Sequence, residues 1–265
     1  MMRVTILGSG TSTGIPEYRC ECDTCACARS EGSLNTRTRP SIHIEVEGRQ
    51  LQFDTGPNFL QQIDRWRVHH IDAVVYTHCH SDHIAGTNDL VMPCRKQQCD
   101  MPIYGPRHTL ETLQRTFDYL FTRDTFAGGG VAHLVPTVVE ETFAVGDVEL
   151  TPIPVEHGAV ETVGYRLGAL GYVPDVKRFR PGSLDRLRGV EVLILDALSF
   201  NPKHPTHFAV SEALEAIDRI APRQAYLTHM MHRIDHYRFP EQCAEQGITL
   251  PPQVALAHDG LVVEL

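Results

Sequence analysis

The stretch Thr77-His78-Cys79-His80-Ser81-Asp82-His83 decides the reading of this chain. It sets three imidazoles and one carboxylate side by side, directly after the apolar run Ala73-Val74-Val75-Tyr76, which reads as a buried strand. His78 and His80, two apart in an extended segment, project to the same side and are spaced to share a cation. Asp82 and His83 follow one tight turn later and are placed to face a second. Imidazole nitrogen with a carboxylate oxygen suits zinc, manganese or iron better than calcium or magnesium, which favour all-oxygen surroundings. With 15 histidines in 265 residues, chance clustering on a surface loop is the competing account. A polar cluster closing a buried apolar strand is, however, where α/β folds place their sites.

The motif resembles the His-x-His-x-Asp-His signature of the metallo-β-lactamase superfamily of hydrolases. That resemblance implies further ligands downstream in the order His, Asp, His, each closing a strand-like run. His157 closes Val148 to Glu156, Asp175 closes Leu170-Gly171-Tyr172-Val173-Pro174, and His229 closes Ala225-Tyr226-Leu227-Thr228. Asp54, after Leu51-Gln52-Phe53, matches the upstream Asp that supports the ligands from behind. The resemblance runs from about residue 3 to about residue 260 and implies a four-layer αββα sandwich. It further implies that His78, His80 and His157 hold one divalent metal, that Asp82, His83 and His229 hold a second, and that Asp175 bridges them, with zinc or manganese as the ions.

The bulk properties fit one soluble α/β domain over residues 1–265. Apolar content of 42% and charged content of 22% are ordinary for a globular chain with a core, and no linker-like tract marks a boundary. Met1-Met2-Arg3 leads straight into a strand, without the apolar stretch of a secretory signal, and no apolar run reaches the length of a membrane span. A cytoplasmic location follows as the expectation. The formal net charge of −9 argues against a nucleic-acid partner. It does not disfavour a small anionic substrate, because metal charge dominates locally. Nothing in the chain speaks against a homodimer.

Eight cysteines without a secretory signal point to metal or free thiols rather than disulfides. Four are crowded into Cys20-Glu21-Cys22-Asp23-Thr24-Cys25-Ala26-Cys27. Cys20, Cys22 and Cys25 form a C-x-C-x-x-C run able to supply most of a tetrahedral zinc shell. Within the superfamily the chain is most similar to the cyclic phosphodiesterases of the carbon–phosphorus lyase pathway. These carry such a clip near the N-terminus, around residues 20–25 here, and complete it with a His three residues after the last catalytic histidine. That residue is His232; Cys27 and His236 compete with it as the fourth ligand. Cys79, Cys94, Cys99 and Cys243 read as small apolar residues.

Periodicity predicts strands over 3–7, 41–47, 50–54, 73–77, 142–154, 163–168, 171–174, 191–195, 224–228, 253–256 and 261–264. Helices are expected from Pro57 to Trp66, from Arg107 to Phe121 and over 208–220, with Ser81-Asp82 capping a short helix after the metal motif. Gly128-Gly129-Gly130 reads as a flexible connection. Gly8-Ser9-Gly10-Thr11-Ser12-Thr13-Gly14 is not a dinucleotide loop: its third glycine comes one residue late, and Pro16 with the cysteines leaves no helix to hold a pyrophosphate.

Two divalent ions, two carboxylates and a bridging hydroxide sum to about +1, which compensates a phosphodiester monoanion and stabilises the more highly charged transition state further. The expected function is therefore hydrolysis of a small phosphodiester, such as a phosphoribosyl cyclic phosphate, by a metal-bridging hydroxide. His207 and Asp82 are the candidate catalytic residues. His207, which aligns with a histidine placed near the substrate in the resembled cyclic phosphodiesterases, is the candidate proton donor to the leaving group, with His204 a weaker choice and a cap on the helix beginning at Phe208 as the structural alternative. His258 matches a C-terminal Asp-Gly turn beside the site. Pro174, where relatives usually carry Ser or Thr, removes a hydroxyl and an N–H beside Asp175. Rival readings are a transfer-RNA 3′-end processing endonuclease, a thioester or lactam hydrolase, and a non-hydrolytic coenzyme-biosynthesis relative of the pyrroloquinoline quinone pathway. The acidic charge and lack of a basic arm weigh against the first, the cysteine clip against the first two, and the complete ligand set against the last.

Overall fold

The computed structural model describes residues 1–122 and 132–265. Two sheets lie face to face. The first runs in the order Val262–Glu264, Met2–Gly8, Ser41–Val46, Arg49–Phe53, Ala73–Val75, Met101–Gly105, Leu134–Val138. The second runs Arg178–Phe179, Val148–His157, Val160–Leu167, Leu170–Val173, Val192–Asp196, Gln224–Thr228, Val254–Leu256, with Phe143–Val145 paired to the long strand Val148–His157. Each sheet is antiparallel at one side and parallel at the other.

Three apolar clusters define four layers. Between the sheets, alternate residues of Met2–Gly8 and Ser41–Val46 (Val4, Ile6, Ile42, Ile44) meet Leu150, Tyr165, Leu167 and Ile194 from the other sheet. Outside the first sheet, Phe59 and Ile63 of one helix and Leu110 and Leu113 of another cover Leu7, Val74 and Ile103. Outside the second, helix Val210–Ile220 covers Leu193, Leu195 and Leu227 through Ala213, Ala216, Ile217 and Ile220. This is the αββα sandwich.

The alternating and wholly apolar runs became strands close to their expected limits. The 142–154 run is two strands, Phe143–Val145 and Val148–His157, folded back at Gly146, whose φ is +61°. Three strands went unread: Met101–Gly105 and Leu134–Val138, because each contains a proline, and Arg178–Phe179, because two residues show no period; Leu134–Val138 closes the first sheet at its edge, where a missing N–H is tolerated. The helix from Arg107 ends at Thr116 and gives way to a 3₁₀ turn, Asp118–Leu120. Ser81 and Asp82 do not cap the short helix but form its first residues; His80 precedes it and no side chain caps it. The Gly128-Gly129-Gly130 stretch lies outside the described residues. Among the described residues no helix is long and apolar enough to cross a membrane.

Candidate active site and cysteine cluster

Strand ends from both sheets converge on one edge of the sandwich. Ala73–Val75 runs into His78 to His83, Val148–His157 ends on His157, Leu170–Val173 leads to Asp175, and Gln224–Thr228 leads to His229. Asp54 and His229 both sit at positive φ, 57° and 59°, rare for residues with a side chain and typical of functional sites. Gly56 lets the chain close over this edge, since a side chain there would collide with the carbonyl of Asp82.

The hydrogen-bond partners fix which imidazole nitrogens carry protons. His157 Nδ1 is 2.7 Å from the Thr206 carbonyl oxygen, so it donates and its Nε2 is a bare lone pair. The Thr77 hydroxyl donates to Asp54 at 2.9 Å and therefore accepts from His78 Nδ1 at 3.0 Å, leaving His78 Nε2 bare. His80 Nδ1 faces both of these bare nitrogens, at 2.9 Å from His78 and 3.1 Å from His157. Two bare nitrogens facing one His80 nitrogen, which can donate to only one of them, at spacings near the roughly 3.3 Å edge of a tetrahedral zinc shell, fit a cation between the three better than a set of hydrogen bonds. Burial also pushes His78, His80 and His157 below the ordinary histidine range, which keeps them in the neutral form that ligates.

The second group is Asp82, His83 and His229. His83 donates from Nδ1 to Asp54 at 2.7 Å, and its buried Nε2 finds no hydrogen-bond partner among the described residues. Burial opposes a charge on His83, but Asp175, Asp54 and Asp82 outweigh it and hold the imidazole well above its ordinary pKa. Three carboxylates around one imidazole are an excess of negative charge that divalent cations would neutralise. Asp175 lies between the groups. Its Oδ1 is 3.2 Å from His83 Nε2, and its Oδ2 is 3.3 Å from His229, 3.6 Å from His157 and 3.8 Å from His78. The donor sets therefore fit a pair of borderline metals sharing one carboxylate.

His207 does not cap a helix: the helix begins at Val210 after Ala209, whose N–H is taken by Glu212 at 2.8 Å. It turns inward instead. Its Nε2 is 3.8 Å from Asp175 and its ring stacks on His229 at 4.5 Å. Its Nδ1 donates to Asp196 at 2.8 Å. Burial works against the charged ring, yet Asp196 first, then Asp175 and Asp82, raise it to about 9. Asp196 escaped the sequence reading. It is fully buried at the end of Val192–Asp196 and also accepts from the Val176 N–H at 2.9 Å. The signal was present: Val192-Leu193-Ile194-Leu195-Asp196 is another apolar run closed by a carboxylate, the same pattern that picked out Asp175. His204 sits farther back, its ring 5.3 Å from that of His207. His258 packs on His236 at 5.7 Å, and its neighbour Asp259 ties the Ser9 and Thr38 loops together.

The cysteine cluster lies three residues beyond His229. His232 Nδ1 is 3.1 Å from Cys20 Sγ, 3.5 Å from Cys25 and 3.7 Å from Cys22. Cys27 is turned away against Ser33 at 3.4 Å, and His236 lies against His258, so neither joins the group. Burial pushes the Cys25 thiol up to about 12, and a bound cation is what would hold it as thiolate. The Glu17 carboxylate also reaches His232, at 3.2 Å. All eight cysteines are free of disulfides.

A family model, described as a beta-lactamase superfamily domain, matches residues 49–230, and the chain belongs to that superfamily. A solved structure described as a new diphosphatase from the PhnP family superposes with a TM-score of 0.88 at 33% identity, covering 100% of this chain and 98% of that one. An octanoyltransferase of Porphyromonas gingivalis is 30% identical over 261 residues, 98% of this chain, and the chain spans about half, 51%, of that relative's length. Coenzyme PQQ synthesis protein B of Methylobacterium radiotolerans is 30% identical over 228 residues, 74% of this chain and 72% of that protein.

Proposed function

We propose that this chain is a metal-dependent hydrolase of the phosphodiesterase type and cleaves small phosphodiesters, including cyclic ones such as a phosphoribosyl cyclic phosphate. His78, His80 and His157 would hold one divalent zinc or manganese ion, Asp82, His83 and His229 the other, and Asp175 would touch both. Two such ions would supply hydroxide at neutral pH and offset the charge gathering on the phosphoryl oxygens. The chain's own residues do the rest. Asp54 and Thr77 hold His83 and His78 in their ligating tautomers. Asp82 remains a carboxylate, because His83 and His229 lower its pKa against the effect of burial. Asp196 fixes the His207 tautomer, so that Nε2–H faces the cluster and can pass its proton to the departing oxygen.

The single observation that carries this reading is the pairing of two lone-pair clusters across Asp175 with an inward, charge-favoured His207 beside them. The 33% likeness to the PhnP-family diphosphatase supports phosphoryl rather than acyl chemistry. The acidic chain favours a small substrate over a polynucleotide, and a cytoplasmic enzyme accords with the free cysteines. The cysteine cluster is proposed to hold a structural zinc through Cys20, Cys22, Cys25 and His232.

Elemental analysis of metal-replete protein, run alongside hydrolysis of bis(p-nitrophenyl) phosphate and ribose cyclic phosphates, tests the whole scheme. Three metals per chain and metal-dependent turnover are expected. One metal or fewer, or no turnover of any diester by fully loaded protein, would overturn it.

A further inference from the structure

We propose that the cavity lined by helices Phe59–Arg65 and Val91–Gln97 binds a soluble amphipathic anion, an acyl chain ending in a carboxylate or phosphate. The proposal does not depend on the hydrolytic reading. The cavity has a volume of about 400 Å³, within the ordinary range for a small-molecule site. None of its lining residues belongs to the histidine–carboxylate cluster or the cysteine cluster. Ile71 lines it and lies just ahead of the strand Ala73–Val75, whose other end runs into His78 to His83. The cavity therefore sits at the opposite end of that strand from the candidate metal ligands.

The lining is apolar with a cationic side. Leu60, Ile63, Ile71, Met92 and Pro93 supply apolar surface, and Leu60 and Met92 are each left 41% exposed. One wall is fixed before any guest arrives: Gln97 Oε1 accepts from the Ile71 N–H at 2.9 Å, and Gln97 Nε2 donates to the Ile71 carbonyl at 2.8 Å. The charged lining residues are Arg67, Lys96 and Asp64, and neither cation has a side-chain hydrogen-bond or ion-pair partner among the described residues. In a chain with 33 acidic against 24 basic residues, two free cations to one carboxylate is a local reversal of sign that favours an anion. Arg67 carries the argument furthest. The Val68 N–H bonds the Ile63 carbonyl at 2.9 Å and the Arg67 N–H that of Asp64 at 3.3 Å, which ends the helix with Arg67 at the left-handed position, φ 58°, that glycine ordinarily fills. The backbone gains nothing from an arginine there. What the arginine adds is a guanidinium on the cavity lining, able to offer two parallel N–H groups to one oxyanion.

Calorimetric titration of the metal-replete protein with octanoate, octyl phosphate and octylammonium tests the site. Each anion should bind about tenfold or more tightly than the cation of the same chain length. Arg67→Gly should weaken octanoate by about tenfold without lowering the Tm, because glycine suits the left-handed position. Met92→Glu, at an exposed position, should weaken it as well by adding a carboxylate to the lining. Octanoate bound equally well by both variants would be sitting on the active-site metals, and would overturn the proposal. So would equal affinity for octylammonium, or no binding of either anion at millimolar concentration. Binding to phosphatidylglycerol vesicles without binding of the soluble anions would overturn it in favour of a membrane surface. A dimer that Met92→Glu splits, in a protein that takes up no octanoate, would instead assign this face to a second copy of the chain.

Discussion

The histidine–carboxylate cluster and the cysteine cluster share one short segment, His229 to His232, yet they are built in opposite ways. The first draws its residues from strand ends far apart in the chain, buries nearly all of them, and backs its imidazoles with fixed partners: Asp54 behind His83, the Thr206 carbonyl behind His157, the Thr77 hydroxyl behind His78. The second takes three of its four groups from six consecutive residues on a loop and short helix, leaves Cys22 exposed, and is supported mainly from Glu17, by its N–H to Cys25 and its carboxylate beside His232. A site held by the folded sandwich is preorganised before any ion arrives. A site held by a loop depends on its ion for shape, so its metal acts on stability rather than on chemistry.

Asp175 offers the hardest break of that contrast. Asp175→Ala removes the carboxylate within reach of both histidine groups, so it should cost both proposed active-site metals and turnover by more than about 10⁴-fold, while a zinc at the proposed cysteine site should stay in place. Metal counting on the purified variant checks this. Loss of all metals together would mean that the two clusters are not independent.

His207 comes next. If it protonates the leaving group, His207→Ala should slow diesters with poor alkoxide leaving groups by about 10² to 10⁴ and nitrophenyl esters much less, with metal content unchanged. Asp196→Asn should repeat the same leaving-group dependence at roughly 10- to 100-fold through His207, and metal content is counted alongside, because the same Asp196 oxygen also holds the Val176 N–H beside Asp175. Equal slowing of good and poor leaving groups in both variants would take this pair out of the proton transfer.

The same contrast explains what could be read without a structure. The cluster residues at strand ends were legible because each closes an apolar run, a pattern set by burial of the strand itself. The pairing of Cys20, Cys22 and Cys25 with His232 was not legible from spacing, since Cys27 and His236 were equally placed along the chain. Only the fold of Asp23–Ala28 and the hydrogen bond from His236 N–H to Asn35 turn those two away. Short helices such as Ser183–Arg186 and Phe239–Glu245 also escaped notice, being too short for a 3.6-residue period to declare itself.

Cys22→Ser tests the dependence of the loop on its ion. It should lower metal content by about one per chain and lower the Tm by several degrees, with activity falling less, through displacement of His229. An unchanged Tm with one zinc missing would show that the loop holds its shape without metal, and would erase the distinction between the two sites.

The smallest effect belongs to His236, which packs beside the cysteine loop without joining it. Burial first, then the charges of Arg37 and His258, lower its pKa from 6.5 to about 4. The unfolded chain therefore takes up a proton on this histidine through the range from about 6.5 to about 4 while the folded chain does not, so the neutral ring stabilises the fold fully above pH 6.5 and progressively less as the pH falls to about 4. Several other buried histidines are shifted the same way, His43 among them, so the acid sensitivity of the whole protein cannot be read as His236 alone. The difference between the protein and its His236→Gln variant can. Measured by Tm in metal-free protein, so that thiolate protonation does not intrude, the variant should lose less stability than the parent between pH 6.5 and 4 and should run parallel to it above pH 7. Parallel curves throughout would mean that His236 is protonated in the fold, with the buried Arg37 guanidinium too well screened to oppose it.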